Sequence, residues 1–88
     1  MAKKVYTLLR TSATRGENAE DVRVFGSLEK AKKTMATEFI AELNDWEQWC
    51  DPDRLMTECD EENTKSIYEM GEYLYNHIDW KIEEKEVL

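Results

Sequence analysis

Hydrophobic and polar positions alternate with period two over Lys3–Thr11, placing Val5, Thr7 and Leu9 on one face and Tyr6, Leu8 and Arg10 on the other. Successive side chains point to opposite faces of a strand, and β-branched and aromatic residues favour one, so this segment predicts a first strand. Ser12–Glu20 is polar and contains Gly16, which predicts a loop of nine residues. Asp21–Phe25 (DVRVF) alternates again and predicts a second strand, antiparallel to the first. From Ser27 the period changes. Leu28, Ala31, Met35, Phe39, Leu43, Trp46 and Cys50 recur at steps of three and four, the signature of one face of a long helix, and Ala36 and Ile40 widen that stripe. Ser27 is a natural N-cap, and Glu29 places a negative charge in the first turn, where the helix dipole favours it. Pro52 sets the far limit, because it disfavours helical geometry at Asp51 and has no N–H of its own.

Beyond the helix, Pro52–Cys59 predicts one or two further helical turns, with Asp51 as cap and Pro52 at the first position, and Asp60–Asn63 predicts a loop. Lys65–Met70 reads as a strand broken by Gly71. Ile78–Val87 reads as the last strand, with Trp80 and Ile82 on one face; Tyr73–His77 fits a strand and an irregular segment equally well. The expected fold is α+β, residues 1–88 forming one domain. A small antiparallel sheet in ββαββ order carries one long amphipathic helix packed on one face. Burial of the helix stripe is then the main source of stability, at about 25 cal/mol per Å² of apolar surface.

Composition narrows the class. The chain has 88 residues and a net charge of −8, yet it carries three Trp, four Tyr and two Phe, too many aromatics for a disordered acidic tail. No apolar run approaches the ~20 residues that span a bilayer. Met1-Ala2-Lys3-Lys4 is basic, but Val5–Leu9 is too short and polar for a signal-peptide core. With only two cysteines as well, the expectation is a cytoplasmic protein without a membrane partner.

The charge is concentrated. Residues 1–15 hold Lys3, Lys4, Arg10 and Arg15 and no acid. Residues 38–62 hold ten acids against Arg54 alone, a net −9. A phosphate partner needs a basic footprint, so this balance argues against direct binding of nucleic acid.

Phe25, Gly26, Ser27, Glu29, Lys30 and Ala31 at the helix start, followed by Gly71, Tyr73, Asn76, His77, Ile82, Glu84, Lys85, Glu86 and Val87, form a pattern over most of the chain. It resembles short uncharacterised proteins of gut bacteria and their phages, in which a "GS-x-EKA" helix start precedes a final "G-x-Y-x-x-NHI…I-x-EKEV" strand. The resemblance implies the ββαββ layout and a mobile-element setting, in which small acidic proteins often inhibit nucleic-acid machinery. It implies no activity and no catalytic residue.

Candidate chemistry is sparse. Cys50 and Cys59, nine residues apart, match neither a zinc knuckle nor a C-x-x-C redox pair, and Cys50 belongs to the helix stripe as a small hydrophobe. Asp51, Asp53, Glu58, Asp60 and Glu61 lack the Asp/Asn-Gly pattern of a calcium loop. His77, the only histidine, has no nucleophile signature around it and reads as a turn residue bonded to backbone or to Asn76. Catalytic residues, metal ligands and cofactors are therefore expected to be absent, and the chain is expected not to be an enzyme. Trp46 reads as core; Trp49 reads as an interface anchor or as a cover for the sheet edge.

The acidic segment has two readings. In one, Glu38, Glu42, Asp45 and Glu47 are the wet face of the helix and 51–62 is a solvated loop. In the other, the acids form a negative ridge, with carboxylates one helical turn apart approaching the charge spacing of a phosphate backbone. The leading expectation is an acidic inhibitor of anti-CRISPR type that blocks a basic nucleic-acid-binding groove of a partner protein. Glu42, Asp45, Glu47, Asp51, Asp53, Glu58, Asp60, Glu61 and Glu62 would supply charge, and Trp49 an apolar anchor. The alternative is a small assembly module that homodimerises through a strand edge, its basic first strand meeting the acidic last strand (Glu83, Glu84, Glu86) of a second copy.

Overall fold

A computed structural model of the chain describes residues 3–14, 17–61, 63–69 and 76–87. Among them the chain forms β1 (Lys3–Thr14), β2 (Glu17–Phe25), α1 (Leu28–Trp49), β3 (Leu55–Glu61), β4 (Thr64–Glu69) and β5 (His77–Val87). The strands make one antiparallel sheet in the order β2-β1-β5-β4-β3, with α1 against one face.

The helix starts and stops where local chemistry dictates. Ser27 Oγ accepts from the Lys30 N–H at 3.1 Å, and Cys50 closes the far end by donating its N–H to the Trp46 carbonyl at 2.8 Å. Every residue of the predicted stripe belongs to the core or packs against it. Ala31, Met35, Trp46 and Cys50 are buried with Leu8, Ile67, Ile78, Trp80 and Ile82, while Leu28, Phe39, Leu43 and Trp49 flank them. The Phe39 ring meets the Trp80 indole edge-on, 5.9 Å between centroids. Such aromatic pairs add about 0.5–1.5 kcal/mol beyond their area. The face of β1 that includes Tyr6, Leu8 and Arg10 is the one turned to the helix.

The fold class holds as α+β with one helix, but the sheet has five strands and not four. Four local expectations fail. Pro52–Cys59 makes a single turn, closed by the Arg54 and Leu55 N–H groups on the Asp51 carbonyl (2.9 and 3.1 Å), and then becomes β3. Short mixed runs do not distinguish strand from helix, and here pairing with β4 decides, with Thr57 opposite the buried Ile67. Asp60 and Glu61, expected in a loop, end that strand. Of the segment expected as a loop, Ser12–Thr14 and Glu17–Glu20 are strand, β1 and β2 staying in register down to Thr14 opposite Glu17, and positions 15–16 lie outside the described residues. Polarity misled there because this hairpin is solvated along the outer strand, where most of β2 is exposed. Ile40, expected to widen the stripe, is 58% exposed.

A fifth correction bears on assembly. The basic first strand and the acidic last strand do pair, but within one chain: Lys4 lies opposite Glu86, and Lys4 Nζ stands 3.8 Å from Glu84. The edges of the sheet are β2 and β3. Of the undecided stretch Tyr73–His77, positions 73–75 lie outside the described residues, and His77 opens β5.

Candidate functional site

The ten residues expected to bind a partner do not form one ridge. Glu42 lies on the flank of α1 beside the β1–β2 hairpin, where it accepts from Arg10 Nη2 at 2.6 Å. Its neighbour one turn earlier, Glu38, is committed more deeply. Arg23 forks both terminal nitrogens onto its two oxygens, Trp80 Nε1 donates to it at 3.2 Å, and Arg10 Nη1 stands 3.6 Å away. The hydrogen bonds from Arg23, then the one from Trp80, with the Coulomb pull of both arginines, hold the Glu38 carboxyl below the usual carboxylate range despite the opposing effect of burial. The same contact raises the Arg23 guanidinium above its ordinary value. Fork geometry of this kind is the strongest form of side-chain pairing.

From Asp45 onward the pattern reverses. Asp45, Glu47, Asp51, Asp53 and Glu58 are all exposed, and among the described residues none has a Lys or Arg within ion-pair distance. Asp51 accepts the Asp53 N–H at 2.9 Å and Glu58 accepts the Tyr68 hydroxyl at 3.1 Å, neutral donors that leave both charges in place. Asp45 continues the Glu38–Glu42 flank, but Glu47, two residues on, points about 200° around the helix, since each residue turns it by about 100°. Asp60 and Glu61 fall on β3, and Glu62 lies outside the described residues.

Of these acids, Glu42 and Asp45 share one site. The hairpin tip and the last turns of α1 meet in a cavity of about 220 Å³ lined by Thr14, Glu17, Glu42, Asp45, Trp46 and Trp49. Glu17 joins the acidic set here, a residue the sequence placed in a loop. The signal that points to it is register: Thr14 and Glu17 are cross-strand partners, so the hairpin reaches the level of the helix C-terminus. Trp46 is buried and Trp49 half-buried, their rings 4.8 Å apart. The last turn of α1 holds no basic residue, and the helix C-terminus adds partial negative charge of its own.

Several of the described cations hold other acids. Besides Arg10 and Arg23, Arg54 reaches the buried Glu69 at 3.5 Å, which also accepts from Asn76 Nδ2 at 2.8 Å. Lys81 and Lys85 both hold Glu83, which lowers the pKa of that carboxyl.

Two other constellations show what the geometry does not support. His77 is a strand residue, not a turn residue, and its Nδ1 meets Asp79 Oδ2 at 2.7 Å, while Ser66 Oγ donates to Asp79 Oδ1 at 2.8 Å. The carboxylate stands between serine and imidazole, so this trio lacks the nucleophile–base hydrogen bond of hydrolytic sites. Cys50 is buried and Cys59 exposed; burial and the nearby Glu69 and Asp51 push the Cys50 thiol up, the opposite of activation. Among the described residues no three metal-ligating side chains gather, and no helix is long and apolar enough to cross a membrane. Searches against family models, curated proteins and solved structures find no match to this chain.

Proposed function

We propose that this chain is a non-enzymatic binding protein that docks its acidic end on a basic, nucleic-acid-binding surface of a partner protein. One observation carries the reading: among the described residues the exposed carboxylates around the helix C-terminus have no Lys or Arg partner, while Arg10, Arg23 and Arg54 are spent on other acids. Like charges held together oppose folding. Acids at a helix C-terminus also run against the dipole, by roughly 0.3–1 kcal/mol each at exposed sites. A chain that tolerates both, while Lys30, Lys32 and Lys33 crowd the opposite end of the helix, is built to present negative charge at one pole. The molecule is elongated, 50 × 20 × 19 Å. An inhibitor that competes with DNA or RNA, of anti-CRISPR type, is the concrete form, and its phage or mobile-element setting rests on the resemblance alone. Action inside the cytoplasm belongs to the same proposal.

The test is capture on the immobilised chain at about 50 and about 500 mM salt, concentrations that span strong and weak screening, with elution by duplex DNA. A captured nucleic-acid-binding protein that DNA displaces, and that a variant with Asp45→Asn, Glu47→Gln, Asp51→Asn and Asp53→Asn fails to retain, supports the reading. Equal retention by the variant, or capture indifferent to salt, overturns it.

A second reading has its own observation. β2 is an edge strand over its whole length, with Val22 and Val24 55% and 64% exposed on the sheet face away from the helix. Such an edge is a template for another strand. Homodimerisation there brings Glu17, Glu20 and Asp21 of two copies together, which charge repulsion disfavours. Light scattering that gives twice the chain mass, unchanged by Asp45→Asn, Glu47→Gln, Asp51→Asn and Asp53→Asn, favours the assembly module.

A further inference from the structure

The sheet face turned away from α1 is covered by no described element, and its charges follow a pattern. The central strand β5 sets Asp79, Lys81, Glu83 and Lys85 along that face in alternating sign, each side chain between 41% and 58% exposed. Beside this row, Thr7 and Leu9 of β1 pair with Val24 and Val22 of β2, and both valines are more than half exposed. We propose that this face binds a second copy of the chain, sheet against sheet, about a two-fold axis over the row Arg23–Leu8–Ile82. The inference goes beyond the docking reading. It rests on the assembly reading and moves its contact from the strand edge to the sheet face. Asp45 and Glu47 lie on α1, against the opposite face, so pairing leaves them for docking.

Charge complementarity selects the axis. Arg23, Leu8 and Ile82 are cross-strand neighbours, so one line perpendicular to the strands passes over all three. Rotation by half a turn about that line lays each strand antiparallel on its own copy, as a closed two-fold contact requires. Lys81 then faces Glu83 of the second copy, Asp79 faces Lys85, Leu9 faces Thr7 and Val22 faces Val24, each contact made twice. Every charge of the row meets its opposite, and the valines meet each other. The other in-plane two-fold, parallel to the strands, sets Lys81 on Lys81 and Glu83 on Glu83, which like-charge repulsion opposes. Packed sheets stand about 10 Å apart, a gap that a lysine and a glutamate span together. Glu83 already bonds Lys81 and Lys85 at 3.2 and 3.0 Å, and Asp79 accepts from Ser66 and meets His77. These charges enter the contact paired rather than bare, which lowers the cost of desolvating them. The charged row sets register, while Leu9, Val22 and Val24 supply apolar area.

The test measures mass by analytical ultracentrifugation over a concentration series of the whole chain. A dimer is expected. Lys81→Glu and Glu83→Lys each set like charges against one another twice and are expected to weaken it about a hundredfold, about tenfold per contact. An equimolar mixture of the two variants is expected to recover dimer, because each then opposes its charge complement. The double variant Lys81→Glu/Glu83→Lys keeps the pairing both along β5 and across the axis. It is expected to dimerise like the native chain, and it decides the matter where a single variant fails to fold. A monomer throughout the series overturns this inference and the assembly reading together. A native dimer that both single variants leave intact overturns the face alone and returns the contact to the β2 edge, which lies across β1 from β5. A mixture that stays monomeric, or a double variant that fails to pair although its circular dichroism matches the native chain, overturns the axis. Capture of a basic partner decides the docking proposal separately.

Discussion

Glu38 and Asp45 lie two helical turns apart on one flank of one helix and have opposite physical roles. Glu38 is wedged between two arginines and an indole N–H and stitches α1 to the hairpin and to β5. Asp45 is exposed and, among the described residues, has no Lys or Arg within ion-pair distance. The difference is not in the residues but in what the sheet presents beneath them. Where the hairpin offers Arg10 and Arg23, a carboxylate becomes a tether; where it offers Thr14 and Glu17, a carboxylate stays a charge. An acidic stretch is therefore no unit of function, and its members divide at Asp45.

The sharpest way to break this division is to remove the tether. Glu38→Ala strips Arg23 and Trp80 of their acceptor, and hydrogen bonds to charged groups are worth about 1.5–3 kcal/mol. A loss of about 2 kcal/mol in urea unfolding is expected, against a change within about 0.5 kcal/mol for Asp45→Ala, as for surface sites generally. Equal costs for the two would erase the distinction.

Acid titration should reproduce part of that effect without a mutation. The folded-state pKa of Glu38 is depressed, so its stabilisation is fully present above the unfolded value of about 4.3 and is lost as pH falls through the lower folded value. The stability gap between the native chain and Glu38→Ala is expected to be constant from neutral pH to about 5 and to close in stronger acid. A gap unchanged down to pH of about 2, below the usual range for paired carboxylates, contradicts the pairing.

The smallest effect is expected at the pole. Replacing Asp45, Glu47, Asp51 and Asp53 by their amides relieves like-charge repulsion and is expected to hold or slightly raise the unfolding midpoint, by a few tenths of a kcal/mol per site at low salt and less at high salt. A marked loss of stability would mean these acids are structural tethers after all, and the contrast with Glu38 would vanish.

Much of the scaffold was legible from pattern alone. Ser27 capping, the seven-residue stripe and the stop before Pro52 all follow from local chemistry, and the structure has them. The first strand and the last could be read because their alternation is strong and one face of each is buried. What escaped was wherever local signals were weak: β3, whose sequence suits a turn of helix as well as a strand, and the outer half of the hairpin, whose polarity imitates a loop. At the site, Trp46 as core was readable, since it falls on the stripe. Glu17 was not, because nothing local links position 17 to position 45.

The sequence by itself determined where the helix lies, which face it buries, and that negative charge gathers in residues 38–62. Only the tertiary structure decided which of those charges remain. Periodicity and capping are set by neighbours three or four positions apart, whereas the fate of a carboxylate depends on cations brought to it across the sheet, Arg10 to Glu42 over 32 positions and Arg23 to Glu38 over 15. Coulomb interaction acts through space, and the strand register that sets those distances appears only once the chain is folded.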